Sequence, residues 1–394
     1  MSPATGPRLE YPDLRHPGAG LYVHVPFCRC KCPYCDFFSL SATPEGLHEY
    51  PALVIRQLEL AQTNGDWAGP LASVFLGGGT PSLLPPAAVG GLLDAAERRF
   101  GFCEGAEISL EANPGTVTEA SLMGYRAAGV NRLSIGVQSL SPTNLAMLGR
   151  IHSAEEAVQA FHWSRRAGFA SVSGDVIFAL PGQNAAAALA DVDQLLQLGP
   201  EHLSCYGLAL EPGTALQHAV ASGQLALPDE NSYADMYLAL HERLDAAGFE
   251  HYEISNYARP GHACRHNLNT WQRGSYLGLG PGAHSFLARD WGIRFAVPGD
   301  WPRYRRRLAA GQDPAETLEI LDRSGAMAET LYLGLRCAAG VDENQFRKRF
   351  GQSLAEAFPT AWQKTGSRLH RCRDHWSLSP SDWLIFDTLI SAFL

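Results

Sequence analysis

The sequence lacks an excess of basic residues. Its 31 lysines and arginines are outnumbered by 40 aspartates and glutamates, which gives a formal net charge of -9. No basic stripe stands out along the chain, and proteins that bind nucleic acid through phosphate contacts depend on such a stripe. We therefore expect no nucleic-acid partner.

Long apolar runs are also missing from the sequence. None approaches the roughly 20 residues that a helix needs to cross a bilayer, so we expect a chain that is not itself transmembrane. Residues 1–20 are rich in proline and glycine and contain no apolar segment of the signal-peptide kind. We interpret this stretch as a flexible N-terminal arm.

The nine cysteines do not form the pattern of a disulfide framework, because the chain is long and shows no secretion signal. We therefore expect a cytoplasmic, reducing location. Four of the cysteines fall within eight residues, and three of these, Cys28, Cys32 and Cys35, have the spacing C-x3-C-x2-C. Three thiolates can hold three corners of a 4Fe-4S cluster and leave the fourth iron open for S-adenosylmethionine (SAM). A zinc site that also uses Cys30 is the alternative, although zinc sites usually space their cysteine pairs further apart.

Strand-like and helical segments alternate along the first 250 residues. The predicted strands are Leu21–Val25, Ser73–Leu76, Glu107–Glu111, Arg132–Val137, Ser171–Leu180 and His202–Leu208. The predicted helices are Glu45–Gln62, Pro86–Arg99, Glu119–Ala128, Ala154–Ala167, Ala185–Leu198 and Asn231–Ala247. Such alternation is typical of βαβ units and a parallel sheet. Six units are too few for a closed eight-fold barrel, so we predict an α/β fold with a partial (β/α)6 barrel over residues 21–250.

The remainder of the chain has a different pattern. Residues 251–309 are rich in glycine and aromatic residues, and we interpret them as a connecting segment. Residues 310–394 are mostly helical in pattern and predict a small, mostly α C-terminal domain.

Candidate binding residues follow several of the predicted strands, at the edge where ligands bind in parallel sheets. The turn Gly77-Gly78-Gly79-Thr80 follows the second strand, and glycines allow a backbone to approach a ligand closely. Glu111 ends the third strand, where a carboxylate could accept hydrogen bonds from sugar hydroxyls. The alternatives are a simple tight turn for the glycines and a solvated or helix-capping acid for Glu111.

Three further candidates belong to the next strands. Gln138 follows the fourth strand, and Arg150 in the helical segment after it could hold a carboxylate with two hydrogen bonds. Asp175 lies within an apolar strand, where an unpaired charge is costly. Arg150 could instead be a surface arginine, and Asp175 could be part of a structural ion pair.

A set of short strings together resembles one branch of the radical SAM proteins. The strings are HVPFC, CPYCDF, GGGTPS, EANPGT, GVQSL, LGRIH, LPGQ and EISNYARPGHACRHN. Their wording and order resemble the family of oxygen-independent coproporphyrinogen III dehydrogenase (HemN) and the heme chaperone HemW, over about residues 20–394. The resemblance implies a radical SAM core competent for SAM cleavage, with a 4Fe-4S cluster on Cys28, Cys32 and Cys35, and a HemN-type C-terminal domain. The cofactor contacts that it implies are Tyr22, Tyr34, Gly78, Gly79, Thr80, Glu111, Gln138, Arg150, Asp175 and Gly207.

The two branches of this family differ at two places in the sequence. The dehydrogenase has a fourth cysteine two positions after the third, where this chain has Phe37. The heme-chaperone branch has Asp-Phe there, as in Asp36-Phe37, and also an H-N-x-x-Y-W-like motif. Residues 266–271 match that motif except that Thr270 replaces its tyrosine. We therefore predict a heme chaperone, with coproporphyrinogen III dehydrogenase as the alternative, and whether the chain is an enzyme stays open.

The resemblance also implies partners and a heme ligand. Heme would be the cargo, an unidentified protein would accept it, and an electron donor would serve the cluster. A membrane-associated respiratory protein is one candidate for the acceptor. His266 of the motif is a chemically suitable axial ligand for heme iron. His251, His262 and His284 are its competitors.

Overall fold

A computed structural model describes residues 19–61 and 69–394. Residues 1–18 of the predicted N-terminal arm and Gln62 at the end of the first predicted helix lie outside the described residues. Among the residues that are described, no helix is both long and apolar enough to cross a membrane.

Strands and helices alternate over the first two thirds of the chain, and the end of the chain is mainly helical. The strands are β1 (Gly20–Val25), β2 (Phe27–Cys28), β3 (Leu40–Ser41), β4 (Leu71–Gly78), β5 (Phe102–Ala112), β6 (Arg132–Gln138), β7 (Ser171–Phe178), β8 (His202–Gly207), β9 (Glu250–Glu253), β10 (Asn256–Ala258), β11 (Tyr276–Leu279), β12 (His284–Leu287), β13 (Ile293–Ala296), β14 (Glu316–Ile320), β15 (Val341–Asp342), β16 (His370–Cys372) and β17 (His375–Ser377). The helices are α1 (Pro44–Leu60), α2 (Pro86–Phe100), α3 (Glu119–Ala127), α4 (Pro142–Met147), α5 (Ala154–Arg166), α6 (Ala185–Gln197), α7 (Ala215–Ala221), α8 (Glu230–Ala246), α9 (Arg265–Trp271), α10 (Trp301–Ala309), α11 (Arg323–Gly334), α12 (Glu343–Phe350), α13 (Leu354–Ala357), α14 (Pro359–Thr365), α15 (Pro380–Trp383) and α16 (Phe386–Ile390).

The predicted partial barrel is confirmed. Strands β1, β4, β5, β6, β7 and β8 are neighbours in that order, and each pairs in parallel with the next. Each of the six predicted strands corresponds to one of them.

The helix starts are also determined by nearby residues in the sequence. For example, Ser153 caps α5 and exchanges hydrogen bonds with Glu156, which satisfies two backbone N–H groups at the helix start.

The sheet continues beyond the six barrel strands on both sides. Strand β11 pairs in parallel with the outer side of β1, and β12, β13 and β14 follow it as antiparallel neighbours. Strands β10 and β9 extend the other edge, next to β8. The segment that the sequence indicates as a connection therefore contributes strands to both edges. The strands of this segment are only three or four residues long, which is too short for a period-2 pattern to be distinct.

Side chains along the barrel strands alternate between an apolar outer face and a polar inner face. On β6, Leu133, Ile135 and Val137 are buried in the apolar core, whereas Arg132 and Ser134 line a cavity inside the barrel. The same alternation holds on β8, where His202, Ser204 and Tyr206 line that cavity. Successive strand residues point to opposite faces, so a polar residue at every second position creates a polar interior.

The C-terminal segment is helical, from α11 to α16, with a small three-stranded sheet of β15, β17 and β16. It is joined to the end of α9 by buried charges. Arg273, just after α9, pairs with Glu329 of α11 at 2.6 Å, and the two side chains are 6% and 8% exposed. Arg336 stacks on the ring of Trp271 at 3.8 Å from its centroid.

Candidate cofactor-binding site

The three-cysteine loop leaves the barrel at the carboxyl end of β1 and is closed at its base by two short strands. Strands β2 and β3 pair in parallel, with Phe27 opposite Leu40 and Cys28 opposite Ser41. The N–H of Ala42 donates to the carbonyl of Cys28 at 2.9 Å. This pairing fixes Cys28 at one end of the loop that carries the other cysteines.

Cationic and hydroxyl donors surround two of the cysteine sulfurs. The Thr80 hydroxyl lies 3.7 Å from the Cys28 Sγ, and Arg150 Nη1 lies 3.5 Å from the Cys32 Sγ. Such donors stabilise anionic sulfur. Burial raises the pKa of the Cys28 and Cys35 thiols, so an added positive charge would be needed to hold them as thiolates.

Cys30 differs from its three neighbours in exposure. It is exposed, whereas Cys28, Cys32 and Cys35 are half-buried. A zinc site needs its donors around one ion. Among the described residues, no three or more histidine, cysteine, aspartate or glutamate side chains are grouped around one point, and this holds for Cys28, Cys32 and Cys35 as much as for a set that adds Cys30. The grouping therefore does not distinguish the cluster from the zinc alternative.

The glycine turn after β4 passes directly beside the cluster loop. The N–H of Gly79 donates to the carbonyl of Val25 at 2.8 Å. A Cβ at Gly79 would lie 2.8 Å from the carbonyl oxygens of both Val25 and Phe27. The protein's own backbone therefore requires glycine here, in agreement with the tight-turn alternative, and ligand contact stays a prediction for Gly78 and Gly79.

Glu111 at the carboxyl end of β5 is joined to the same turn. Its Oε2 accepts a hydrogen bond from the N–H of Gly78 at 3.0 Å. Burial, with the negative charge of Asp175 as a second cause, raises the pKa of Glu111 to about 8. The carboxyl group is therefore largely protonated at neutral pH and can donate as well as accept a hydrogen bond.

Replacing Glu111 with glutamine is expected to make the protein increasingly more stable than the wild type as pH rises. The unfolded chain releases this proton near pH 4.5 and the folded protein near pH 8, so wild-type stability falls with pH across that window. Glutamine does not titrate and still accepts from Gly78. Its advantage in unfolding free energy should grow by at least about 1 kcal/mol between about pH 5 and pH 8. Urea unfolding at both pH values measures this, and an equal difference at both would contradict the raised pKa.

Asp175 is held by hydroxyl groups from three adjacent strands. Ser204 Oγ donates to its Oδ1 at 2.7 Å, Ser134 Oγ to its Oδ2 at 2.8 Å, and Ser173 Oγ to its Oδ1 at 3.1 Å. Burial raises the pKa of Asp175, while these serines and the charge of Arg132 lower it. The carboxylate is thus compensated mainly by hydrogen bonds rather than by the direct ion pair considered from the sequence.

A cavity of about 720 Å³ fills the barrel interior. It brings together four of the sequence-predicted site residues, Tyr22, Glu111, Asp175 and His266. The Tyr22 hydroxyl is bonded to His24 Nδ1 at 2.9 Å. The volume is within the range of about 300–1,000 Å³ that ligand pockets occupy.

Other predicted contacts lie outside the lining of this cavity. Arg150 lines a small cleft with Cys32 and Thr80, and its Nη2 donates to the carbonyl of Gly136 at 2.9 Å. Gln138 lies where the β6–β7 register shifts, with a φ of 68°.

Tyr34 and Gly207 have neighbours that account for them without a ligand. Tyr34 packs against an apolar cluster that contains Leu148 and Leu180, and burial raises its pKa. A Cβ at Gly207 would lie 2.2 Å from the hydroxyl of Tyr233, so a larger residue at position 207 would have to displace that side chain. Their assignment as cofactor contacts stays a prediction.

His266 lies deep in the cavity, near the amino ends of β1 and β4. It is 6% exposed, its Nδ1 is bonded to Ser73 Oγ at 3.0 Å, and its ring stacks 5.3 Å from that of Phe75. Burial lowers its pKa to about 4, so the imidazole is neutral at physiological pH. The amino end of α9 is fastened by Glu107, which accepts from the N–H of His266 at 3.2 Å.

The competing histidines lie in different environments. His251 is buried and stacks on Tyr257 at 3.9 Å between ring centroids. His262 is half-buried and is not among the residues that line the cavity. His284 is exposed and lines the cavity.

Sequence reasoning missed several residues that line the cavity. His24 lies two residues after Tyr22, on the same face of β1, and the period of a strand could have identified it. Arg132 is 3% exposed, and its Nε has no hydrogen-bond partner among the described residues. The alternation Arg132, Ser134, Gly136 along β6 is the sequence signal for this inward face.

Comparisons with known proteins point to one family. The model of the Radical SAM superfamily matches residues 22–195, and that of the HemN C-terminal domain matches residues 321–385. The protein named heme chaperone HemW of Escherichia coli (strain K12) is 35% identical over 398 residues, which cover 97% of this chain and 99% of that protein. The heme chaperone HemW of Synechocystis is 40% identical over 331 residues, which cover 81% of this chain and 78% of that protein.

The fold itself is similar to a solved structure. Coproporphyrinogen III oxidase (HemN) from Escherichia coli, described as a radical SAM enzyme, aligns with a TM-score of 0.80 at 20% identity. The alignment covers 95% of this chain and 90% of that chain. At this identity the likeness is one of fold, and it confirms the α/β partial barrel with its C-terminal domain.

Proposed function

This chain belongs to the HemW/HemN family of radical SAM proteins, and we propose that it binds heme and delivers it to an acceptor protein. The proposal includes a 4Fe-4S cluster and SAM as resident cofactors, an electron donor for the cluster, and a cytoplasmic location. It rests on the proteins named heme chaperone HemW that are similar over most of the chain. The acceptor is a separate protein, and a membrane-associated respiratory protein is the candidate.

The observation that carries the proposal is that residue 37 is a phenylalanine, Phe37. In the dehydrogenase branch a fourth cysteine stands at this position, and phenylalanine offers no sulfur ligand. Phe37 is 60% exposed and lines the cavity together with Asp36 and Phe38. An exposed aromatic ring beside a deep cavity suits the flat, apolar face of a porphyrin.

The residues of the loop fit the proposed cluster. Three half-buried cysteines stand on one loop, and soft thiolate ligands select iron–sulfur clusters. Cys28, Cys32 and Cys35 would hold the cluster, with Thr80 and Arg150 as donors to the sulfurs. When bound, the cluster with SAM would supply one-electron chemistry.

The residues near the loop also fit SAM. The Nε of Arg150 is buried without a hydrogen-bond partner among the described residues, and a guanidinium in that state suits a carboxylate. Glu111 would bind ribose hydroxyls, and its link to Gly78 keeps the carboxyl group at the turn. The other sequence-predicted contacts, Tyr22, Tyr34, Gly79, Gln138, Asp175 and Gly207, belong to the same proposal.

The proposal also includes a division of the chain into four parts. These are an arm (1–20), a barrel (21–250), a connecting segment (251–309) and a C-terminal domain (310–394). His266 is the heme-ligand candidate that the sequence motif indicates, and it shares the cavity with Glu111, Asp175 and the competing candidate His284. The His266 imidazole is neutral, as a metal ligand must be.

Heme added to the anaerobically reconstituted protein is expected to form a stable complex with one heme per chain. Titration followed by the Soret absorbance measures it. The same sample receives coproporphyrinogen III, a reductant and SAM, and methionine release is followed. The expected result is heme retention without consumption of the porphyrinogen.

The two functions predict opposite results in this pair of assays. Turnover of the porphyrinogen together with failure to retain heme would replace the chaperone with the dehydrogenase. Protein that was never reconstituted is the matched control, because it reports heme adsorption that is independent of the cofactors.

A further inference from the structure

Four histidines line the barrel cavity, and three of them already have partners. Both ring nitrogens of His24 are within 2.9 Å of an acceptor or donor, the Tyr22 hydroxyl and the carbonyl of Phe38. Both nitrogens of His202 are within 2.8 Å of a hydroxyl, on Ser173 and Tyr252. These two imidazoles have no nitrogen left for a ligand.

His266 has one nitrogen left, but its ring is enclosed. Its Nδ1 is bonded to Ser73, and the rings of Phe75, Tyr276 and Tyr22 lie 5.3, 6.1 and 6.3 Å away between centroids. A porphyrin plane perpendicular to an axial imidazole needs open space on every side of the iron. That space would have to be made by moving aromatic side chains at the base of the barrel.

His284 is the fourth histidine, and among the described residues its imidazole has neither a hydrogen bond nor a ring contact. It is the first residue of β12 and is exposed at the cavity wall. A Cβ at Gly278 would lie 2.0 Å from the carbonyl oxygen of His284. The backbone of His284 is thus held tightly against β11, while its imidazole makes no hydrogen bond to any residue that the structure describes.

The part of the cavity lining that is near His284 in the sheet is apolar. Ala296 is opposite His284 in the β12–β13 pair, and Val297 and Pro298 follow it in the lining. Phe38 packs against the same region, because a Cβ at Gly282 or Gly299 would come within 3.0 or 2.7 Å of its side chain. Phe37 lies next to it with 60% of its side chain exposed.

The base of the cavity has the opposite character. It is lined by Arg132, Asp175 and His202, which are charged or hydrogen-bonded polar groups. Moving an apolar macrocycle into this region would take water away from the Arg132 guanidinium, whose Nε has no hydrogen-bond partner among the described residues, and an unpaired buried polar group is costly. The apolar rim therefore accommodates a porphyrin better than the base does.

We propose that His284, at the apolar rim of the cavity, is the axial ligand of the heme iron, and that the porphyrin lies against Phe37 and Phe38. This inference rests on the proposed heme binding and names its site. Burial and the charge of Arg294 lower the pKa of His284, so the ring is neutral at physiological pH and can ligate iron.

The test uses the full chain, reconstituted anaerobically, and ferric heme as the probe. Three histidine-to-alanine variants are compared with the wild type: His284→Ala, His266→Ala and His162→Ala. His162 is exposed on α5 and is not among the cavity residues, so it is the matched control. The readouts are the heme dissociation constant, the Soret and spin-state spectrum, and the iron and sulfide content of the cluster.

His284→Ala is expected to weaken heme binding at least roughly tenfold, to lose the imidazole-ligated spectrum, and to regain that spectrum when free imidazole is added. Its cluster content should equal that of the wild type. His266→Ala and His162→Ala should retain the wild-type heme spectrum. Loss of the spectrum in His266→Ala with retention in His284→Ala would overturn the inference and leave the proposed function intact. Wild-type protein that does not retain heme would overturn the proposed function itself.

Discussion

Alanine in place of Cys28, Cys32 or Cys35 is expected to abolish the iron–sulfur cluster in each single variant. The proposed cluster would be held by these thiolates alone, and with the fourth iron open no spare protein ligand would support it on the remaining two. Iron and labile sulfide per chain should fall at least roughly tenfold after anaerobic reconstitution, because metal affinity decreases steeply when a ligand is removed. Iron and sulfide analysis of the three variants measures the effect.

The matched control is Cys30→Ala, which removes the exposed thiol from the same loop. It should retain the iron and sulfide of the wild type. Two results together would contradict the cluster and establish a four-cysteine zinc site. The wild type would contain zinc without labile sulfide, and Cys30→Ala would lose that zinc.

Gly79→Ala is expected to destabilise the fold and to empty the cluster site together. Its methyl group would lie 2.8 Å from two backbone carbonyl oxygens, those of Val25 and Phe27, which belong to the base of the cluster loop. Backbone atoms cannot rotate away as the end of a side chain can, so the loop must shift. We expect a loss of about 2–3 kcal/mol in unfolding free energy and reduced iron incorporation. Denaturant unfolding and iron analysis of the same preparation measure both.

Gly91→Ala provides the control for this substitution. Gly91 lies within α2, and a Cβ there would have no neighbour within 4 Å. Alanine in a helix interior should stabilise the protein by about 0.5–1 kcal/mol and leave iron incorporation unchanged. Equal effects of the two substitutions would show that the contact at Gly79 carries no strain.

The barrel could be predicted from the sequence because each of its elements is encoded locally. Strands β6 and β7 have seven and eight residues, which is long enough for their apolar residues to indicate strands, and a helix follows each strand. The edge strands could not be predicted in this way. β10 has three residues and β11 has four, and their pairing with β8 and β1 joins segments that are far apart in the chain.

The candidate site, like the fold, could be predicted from the sequence only in part. The cysteine loop, the glycine turn and Glu111 are close in sequence to the strands that position them, and the structure brings them together. His284 could not be distinguished from the other histidines by sequence. What distinguishes it is that its imidazole makes no hydrogen bond or ring contact with the described residues, and only the structure shows this. The three serines around Asp175 come from three strands, and only the register of the sheet places them at one carboxylate.

The buried pair between Arg273 and Glu329 has a consequence for the independence of the barrel. Its cation follows α9, which also carries His266, and its anion belongs to the C-terminal segment. Glu329 also pairs with Arg294 of β13, so one buried carboxylate of the C-terminal segment neutralises two cations from outside that segment. A chain cut off before α11 would lose both ion pairs and the apolar contacts of α11, so the barrel and the C-terminal segment should unfold in one cooperative transition.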